Sequence, residues 1–416
     1  MGQEESVKVL EGKTILLGVC GGIAAYKAAE LCRLLVQEGA TVRVIMTAGA
    51  TEFITPLTFS TLTGQPALTA IFGAGSGGPL THIDLANKAD LFLVAPATAN
   101  ILAKLATGLA DDLLSTTALA VNCPTLVAPA MNVNMYAKAA VQENLATLKR
   151  RGWGIIEPEE GFLACGTTGK GRLASLERIV AACRRALAPQ DYRDLVVLVT
   201  AGGTREPLDP VRYIGNYSSG KMGYALARAA WERGARVTLI TASPLPPPPE
   251  VEVVRVQTAA EMLAALEERF AGADIVLKAA AVADFRPVAK ATQKIKKGQQ
   301  RELFVHLEPT VDILACLSRM KERQILVGFA AETEDLLANA GQKLHDKQLD
   351  LIVANDVTRP GAGFGSETNI VTLLFPGGRK EELPQLPKLE VAHRILDAVT
   401  TLPRFPGRSA GPEREE

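Results

Sequence analysis

The sequence predicts an α/β protein of two three-layer domains, each built on a mainly parallel sheet. Three observations predict it: continuous apolar runs, glycine-bearing turns that lead from those runs into helical patterns, and a break near residue 190 after which the layout begins again. An apolar strand followed by a helix implies a parallel sheet covered on both faces. The length of 416 residues fits two domains, since single cores divide into units of roughly 100–200 residues.

Taken in order, TILLGV (14–19) reads as the first strand, Gly21-Gly22 as the turn, residues 23–38 as a helix, and TVRVIMT after Gly39 as the second strand. LFLVAP (91–96) and TLVAPA (125–130) supply two more buried strands. The helical pattern IVAACRRALA stops at Pro189, and LVVLVT (195–200) opens the second half, giving domains at 1–190 and 191–402. In LCRLLVQEGATVRVIMT and LARAAWERGARVTLIT the leucine-to-glycine interval is eight residues, which common ancestry or the shared demands of a doubly wound unit both explain. The proline run 244–249 reads as a stiff loop and residues 403–416 as a disordered tail.

The 45 Lys and Arg equal the 45 Asp and Glu, so no global field favours nucleic acid or an anionic membrane, and small molecules are the expected ligands. The uncharged stretch 113–137 holds Asn122, Pro124, Pro129, Asn132 and Asn134, which reads as globular core and not a membrane span. The polar N-terminus lacks a signal-peptide core, so a cytoplasmic location is expected. Six cysteines without a CxxC pair suggest neither zinc nor a disulfide framework, and leave room for one reactive thiol.

In the first half, CGGIAAYK sets two glycines between a strand and a helix N-terminus, where free N–H groups receive a phosphate, although any doubly wound scaffold uses glycine there. That turn lacks a full GxGxxG and no acid ends the second strand, which argues against a dinucleotide oxidoreductase. His82 follows a glycine-rich loop and is either a site residue or a surface histidine. Asn132 follows PAM at a strand end, and Cys165 sits among Gly161, Gly166, Gly169 and Gly171, as expected of a flap that delivers a thiol.

Together GGIAAYK, the His82 segment, PATAN (96–100), DDLLSTTALA (111–120), PAMN and ACGTTGKGR resemble the phosphopantothenoylcysteine decarboxylase family of FMN-binding, homo-oligomeric flavoproteins, over residues 10–185. The resemblance implies a flavodoxin-like fold, with FMN held by Gly22, Ile23, Ala24, Thr47, Pro96, Ala97, Thr98, Asn100, Ser115 and Thr116 and substrate by Met131 and Ala164. It also implies that FMN oxidises the cysteinyl thiol to a thioaldehyde, that carboxylate loss follows, and that the enethiol is then reduced. His82 would assist oxidation, Asn132 bind the carboxylate and Cys165 donate a proton. One departure is Tyr136, where the family usually has tryptophan; altered packing with retained activity is expected.

In the second half, TAGGTREPLDPVRYIGNYSSGKMG (200–223) runs from a strand exit to a Ser-Ser-Gly helix start, where hydroxyls, N–H groups and Lys221 suit an anion. Ser218 alone is equally a helix cap. Asp284 ends the strand of KAAAVADFRP, and KIKK (294–297) follows as either a solvated loop or a triphosphate site with Mg²⁺ between the charges. Lys343 and Lys347 would share a helix face.

With GFAAET and ANDV, these motifs resemble the bacterial, CTP-using phosphopantothenate–cysteine ligase family over residues 192–400 and imply a Rossmann-like fold. That resemblance implies an acyl cytidylate made from 4′-phosphopantothenate and CTP, whose CMP is displaced by the amine of cysteine. Arg212 and Asn216 would serve the acyl intermediate, and Lys294 the triphosphate. Ser218, Ser219, Gly220, Lys278, Ala279, Ala280, Asp284, Thr310, Val311, Asp312, Ile313, Phe329, Lys343 and Lys347 would bind substrate, with Mg²⁺ at Asp284. Val311 departs from the family, which commonly has proline there.

The two resemblances imply consecutive steps: the ligase makes 4′-phosphopantothenoylcysteine and the decarboxylase converts it to 4′-phosphopantetheine. They also imply a homo-oligomer, with flavin-half trimers and ligase-half dimers able to build a dodecamer. A flavin-binding regulatory subunit is the alternative, opposed by the joint presence of His82, Asn132 and Cys165.

Overall fold

A computed structural model describes residues 9–73, 75, 78, 80–162, 166–296, 303–332, 336–356, 363 and 365–406. Val7–Ala188 form one compact unit and Pro189–Glu416 belong to a second.

The first unit runs β1 (Thr14–Val19), α1 (Ala25–Gln37), β2 (Thr41–Met46), α2 (Ala48–Thr51), α3 (Pro56–Thr63), α4 (Thr81–Lys88), β3 (Leu91–Ala97), α5 (Ala99–Thr107), α6 (Leu113–Ala120) and β4 (Thr125–Pro129). It continues with α7 (Val133–Tyr136), α8 (Ala139–Arg150), β5 (Gly154–Ile155), β6 (Glu159–Phe162), β7 (Thr168–Arg172) and α9 (Leu176–Leu187). The main sheet is parallel, in the order β2-β1-β3-β4-β5. This flavodoxin-like order reverses direction between β1 and β3, which opens a crevice at the carboxyl ends of those strands.

Strand alternation sends Ile15, Leu17 and Val19 to a core with α1 and α9, and Leu16, Phe92 and Val94 to a core with α5, α6 and α8. Three layers result. Helix α1 buries Ala25, Ala28, Leu31, Cys32 and Leu35, a stripe at helical spacing. Each leucine so buried contributes about 1.5–3 kcal/mol, and Leu31→Ala would cost about 2–5 kcal/mol. The uncharged stretch 113–137 is divided among α6, β4 and α7, and no helix among the described residues is long and apolar enough to cross a membrane.

The second unit runs β8 (Val196–Ala201), β9 (Arg205–Pro207), β10 (Tyr213–Gly215), α10 (Lys221–Glu232), β11 (Arg236–Thr241), β12 (Glu252–Arg255), α11 (Ala259–Phe270), β13 (Ile275–Lys278), β14 (Phe285–Pro287), β15 (Leu307–Pro309) and α12 (Ile313–Met320). After these come β16 (Ile325–Glu332), α13 (Leu336–Asp346), β17 (Leu351–Asp356), β18 (Thr368–Asn369), β19 (Val371–Leu374), β20 (Lys380–Glu382), β21 (Leu386–Pro387) and α14 (Lys388–Thr400). The large sheet has the order β12-β11-β8-β13-β16-β17-β19-β20. Its first six strands are parallel in the Rossmann arrangement, with the switch point between β8 and β13, and the last two are antiparallel. Val197, Val199 and Ala201 face the core with α10 and α14, whereas Leu198, Ile240 and Val276 face α11, α12 and α13.

Both units start their sheets with the same device. Asp90, just before β3, accepts from Thr14 N at 2.8 Å, and Asp274, just before β13, accepts from Val196 N at 2.8 Å. Each ties the amino end of a first strand to its neighbour across the switch point. Residues 403–406 are not the disordered tail the sequence suggests: Phe405 is buried, with its ring edge-on to Tyr192 at 5.3 Å between centroids. An aromatic side chain in that segment gives it apolar area to bury. Residues 407–416 lie outside the described residues.

Candidate active sites

In the first unit a cleft of about 1070 Å³ opens at the carboxyl ends of β1, β2, β3 and β4. Gly22, Ile23, Ala24, Thr47, Pro96, Thr98, Asn100, Met131 and Asn132 line it. The turn after β1 must be glycine at Gly21, because a Cβ there would lie 2.5 Å from the carbonyl carbon of Gly49. This contact brings the β1 and β2 turns together at the amino end of α1. Thr47 and Thr98 accept from Ala50 N and Ile101 N, capping α2 and α5. Ala97 is fully buried behind the wall, and the Ala95–Pro96 peptide is cis.

Asn132 caps α7 by accepting from Asn134 N at 2.8 Å, so one carboxamide serves both the helix start and the cleft wall. Strands β6 and β7 form a hairpin whose described residues Phe162, Gly171 and Arg172 reach the cleft. Gly171 is held tightly: its carbonyl accepts from Met131 N at 2.9 Å, its φ is +154°, and a Cβ would lie 2.4 Å from Met131 O. The glycine-rich hairpin is therefore packed against the PAMN turn at Gly171. Ala164 and Cys165 lie outside the described residues.

His82 lies on α4, half-buried, and neither it nor Ser115 and Thr116 of α6 line this cleft. Ser115 forms a capping box with Asp112. Tyr136 also stands back from the cleft; its buried ring packs in the core and its hydroxyl donates to Glu157 Oε2 at 2.8 Å. Lys104, which the sequence reading passed over, lines the cleft with Asp111 and Asp112, its Nζ 2.6 and 2.7 Å from their carboxylates. Those hydrogen bonds, Asp111 first, hold its pKa up. Cys20 also faces the cleft, but burial pushes its thiol up to about 12, which leaves it a poor nucleophile.

In the second unit a cleft of about 330 Å³ is lined by Lys278, Asp284, Thr310, Val311, Asp312, Ile313, Phe329, Lys343 and Lys347, bringing nine of the expected residues together. Lys347 pairs with Asp312 Oδ2 at 2.9 Å, while Asp312 Oδ1 caps α12 by accepting from Ala315 N. Lys347 N donates to Lys343 O, which extends the α13 turn and keeps both lysines on the cleft. Lys278 donates from Nζ to Ala280 O at 3.0 Å; burial first, then the Lys347 cation, bring its pKa down to about 8. Ala280 is buried, with its N–H bonded to Thr200 Oγ1.

A smaller adjoining pocket of about 70 Å³ is lined by Ser218, Ser219, Gly220 and Ala279, and shares Phe329 with the larger one. The cap of α10 is Gly220, not Ser218, because the chain enters the helix through a left-handed residue. Lys221 Nζ is bonded to Glu367 and to Gly365 O.

Arg212 and Lys294 lie in neighbouring loops and line neither cleft. Buried Asp209 accepts from Arg212 Nε at 3.0 Å and Nη2 at 2.6 Å, and from Ile295 N at 3.1 Å. The guanidinium above all, then the surrounding N–H donors, hold its carboxyl far below the usual range. Asp209 stands in REPLDPVR, where Asp before Pro is an Asx-turn signal. Asn216 Nδ2 donates to Val282 O at 3.0 Å, beside the strand exit that bears Asp284. Lys294 is exposed.

Comparison with known proteins places the two units together in one family. Residues 3–188 match the family described as Flavoprotein, and residues 192–402 match the DNA/pantothenate metabolism flavoprotein C-terminal domain. The coenzyme A biosynthesis bifunctional protein CoaBC of Bacillus subtilis is 49% identical over 96% of this chain and 99% of its own length. This chain belongs to that bifunctional coenzyme A biosynthesis family. The Vibrio vulnificus and Escherichia coli CoaBC proteins are 47% and 46% identical, over 95% and 94% of this chain and 99% and 98% of their own. The crystal structure of a CoaBC C-terminal domain is 41% identical, covers 51% of this chain and 97% of its own, and superposes with a TM-score of 0.44. As a member of the CoaBC family the chain is a bifunctional enzyme of coenzyme A biosynthesis, with a flavoprotein decarboxylase half and a ligase half.

Proposed function

We propose that the second unit joins 4′-phosphopantothenate to cysteine at the expense of CTP, and that the first unit decarboxylates the resulting 4′-phosphopantothenoylcysteine with FMN. The observation that carries the ligase reading is the gathering of Lys278, Lys343 and Lys347 with Asp312 around one cleft. Three cations against few carboxylates suit a triphosphate. The phosphopantothenate carboxylate attacks the α-phosphate, pyrophosphate leaves, and cysteine's amine then displaces CMP from the acyl cytidylate. Arg212 and Asn216 serve the acyl intermediate, and Lys294 the charge that builds on the phosphates.

Mg²⁺ would travel with the triphosphate. No group of three or more His, Cys, Asp or Glu among the described residues is placed to hold a metal, and Asp284 supplies a single exposed carboxylate. Magnesium is commonly bound by one or two carboxylates together with substrate phosphates, so the residues fit that use.

The first unit fits FMN. Its cleft at the β1/β3 switch point is large enough for a ring system and phosphate, and the Gly21–Gly49 contact brings backbone of two turns to one spot at the start of α1. Bound FMN supplies reversible two-electron oxidation of the substrate thiol. Asn132 orients the leaving carboxylate with a carboxamide already fixed by the α7 cap, and Cys165 donates the proton that completes the product. His82 and Thr116 are partly exposed and stand outside this chain's own cleft, which supports a homo-oligomer in which a neighbouring copy brings them to the flavin, whereas buried Ser115 serves the α6 cap.

Incubation with phosphopantothenate, cysteine and CTP tests the reading, with CMP and CO₂ followed separately. Both should appear, and the protein should carry an FMN spectrum; a colourless preparation that cannot be reconstituted removes the decarboxylase assignment. A mixture of His82→Asn and Asn132→Asp chains, unfolded and refolded together, should regain decarboxylation that neither shows alone. No regain would place His82 in its own chain's site.

A further inference from the structure

We propose that Asp209 is a positioning residue of the ligase site, a latch that holds the loop bearing Arg212 and the segment bearing Lys294 as one unit. The inference rests on the roles proposed above for Arg212 and Lys294. Asp209 Oδ1 accepts from Val211 N and Arg212 N, each at 2.8 Å, which shapes the Asp-Pro turn. Its Oδ2 accepts from Arg212 Nε and Nη2 and, across 86 residues of sequence, from Ile295 N at 3.1 Å. Arg212 Nη2 closes the ring by donating to Ile295 O at 2.7 Å, and Ala291 N donates to Leu208 O at 3.0 Å just behind it.

The division of labour is visible in exposure: the Asp209 side chain is 0% exposed and that of Arg212 is 43% exposed. The carboxylate is spent wholly on protein donors, whereas part of the guanidinium stays open to a ligand. A fully bonded buried carboxylate fixes its partners more strictly than neutral groups would. Neither loop belongs to the large sheet, so these bonds set the mutual position of two loops and leave the strands to hold the fold. Activation and transfer both need those loops in register, and small misplacements of positioning groups cost about 10²-fold in rate.

Asp209→Asn separates the latch from the turn. The carboxamide oxygen can still accept from Val211 N and Arg212 N, but the amide nitrogen now meets the guanidinium and Ile295 N, all donors. In the full chain, CTP-dependent pyrophosphate release and amide formation should both fall, on the order of 10- to 100-fold in kcat, with the melting profile kept. Hydrogen exchange at the Ile295 amide should accelerate. Combining Asp209→Asn with Arg212→Gln should cost clearly less than the sum of the two single losses, because both break the same ring of bonds; fully additive losses would overturn the proposal. Wild-type rates in Asp209→Asn, beside impaired Arg212→Gln and Lys294→Ala, would overturn the latch and leave the ligase reading standing. Wild-type rates in all three would instead remove the ligase roles themselves. If Asp209→Asn melts early, Asp209→Glu, which keeps the charge, decides: partial recovery of rate with Ile295 protection supports the latch, and recovery of stability without rate refutes it.

Discussion

The first cleft lies at the β1/β3 switch point of its sheet and the second beside the carboxyl ends of β13 and β16, to one side of the β8/β13 switch point, and they are built from opposite materials. The first, about 1070 Å³, is walled largely by glycine, alanine, threonine and methionine at strand ends, and its main charge cluster, Lys104 with Asp111 and Asp112, is already internally paired. The second, about 330 Å³, is walled by Lys278, Lys343 and Lys347. The difference teaches that a doubly wound sheet supplies only the location. Whether the site retains a ring system or handles a polyphosphate is decided by side chains on the strand-end loops.

That contrast is sharpest where a single cation can be removed. Lys347→Ala should lower CTP-dependent pyrophosphate release by about 10²–10³-fold and leave decarboxylation of supplied substrate within twofold, as measured by CO₂ release. A matched lesson from the first cleft uses shape alone. Gly171→Ala drives a Cβ into Met131 O, at 2.4 Å in the present backbone. It should displace the hairpin and cut decarboxylation at least tenfold, at a stability cost of about 1–3 kcal/mol for the strained backbone, read from the melting curve; an unchanged rate would mean the hairpin does not shape the site.

A smaller effect concerns pH. Lys278 has a folded pKa of about 8 against roughly 10.4 unfolded. The unfolded chain binds more protons between those values, so this group's contribution to stability is full above the unfolded pKa and is lost as pH falls toward 8. Its charge, which the proposed triphosphate site uses, is present below about pH 8 and fades above it. The KM for CTP should therefore rise several-fold between pH 7 and 9, and Lys278→Arg should flatten that rise because arginine keeps its proton. The smallest expected change is Tyr136→Phe. Losing the hydrogen bond to Glu157 should cost about 1 kcal/mol of stability and scarcely alter decarboxylation, since the ring stands behind the cleft.

Most of both sheets was legible in the sequence because their strands are buried on both faces and read as unbroken apolar runs: TILLGV is β1 and LFLVAP all but the last residue of β3. The gathering at the second unit's cleft was also legible, since its motifs end strands or start helices and nine expected residues converge there, although Arg212, Asn216 and Lys294 do not line it. What escaped were relations between distant segments. The partners of Asp209 and the pairing of Lys104 with Asp111 and Asp112 depend on loop approach, which no periodicity encodes. His82 was legible as an unusual residue and Ser115 only through the family resemblance, and neither as lying outside its own chain's cleft. Phe405 looked like tail because Pro and Arg surround it, although one aromatic ring is enough to dock a short segment.

The central claim is that one chain runs two separable reactions on two sites. The most direct measurement compares Asn132→Asp with Lys347→Ala, following pyrophosphate from CTP and CO₂ from supplied 4′-phosphopantothenoylcysteine. Asn132→Asp keeps the oxygen that caps α7 but repels the substrate carboxylate, so it should release pyrophosphate normally and little CO₂. Lys347→Ala should do the reverse. Loss of both products in either well-folded variant would contradict the account.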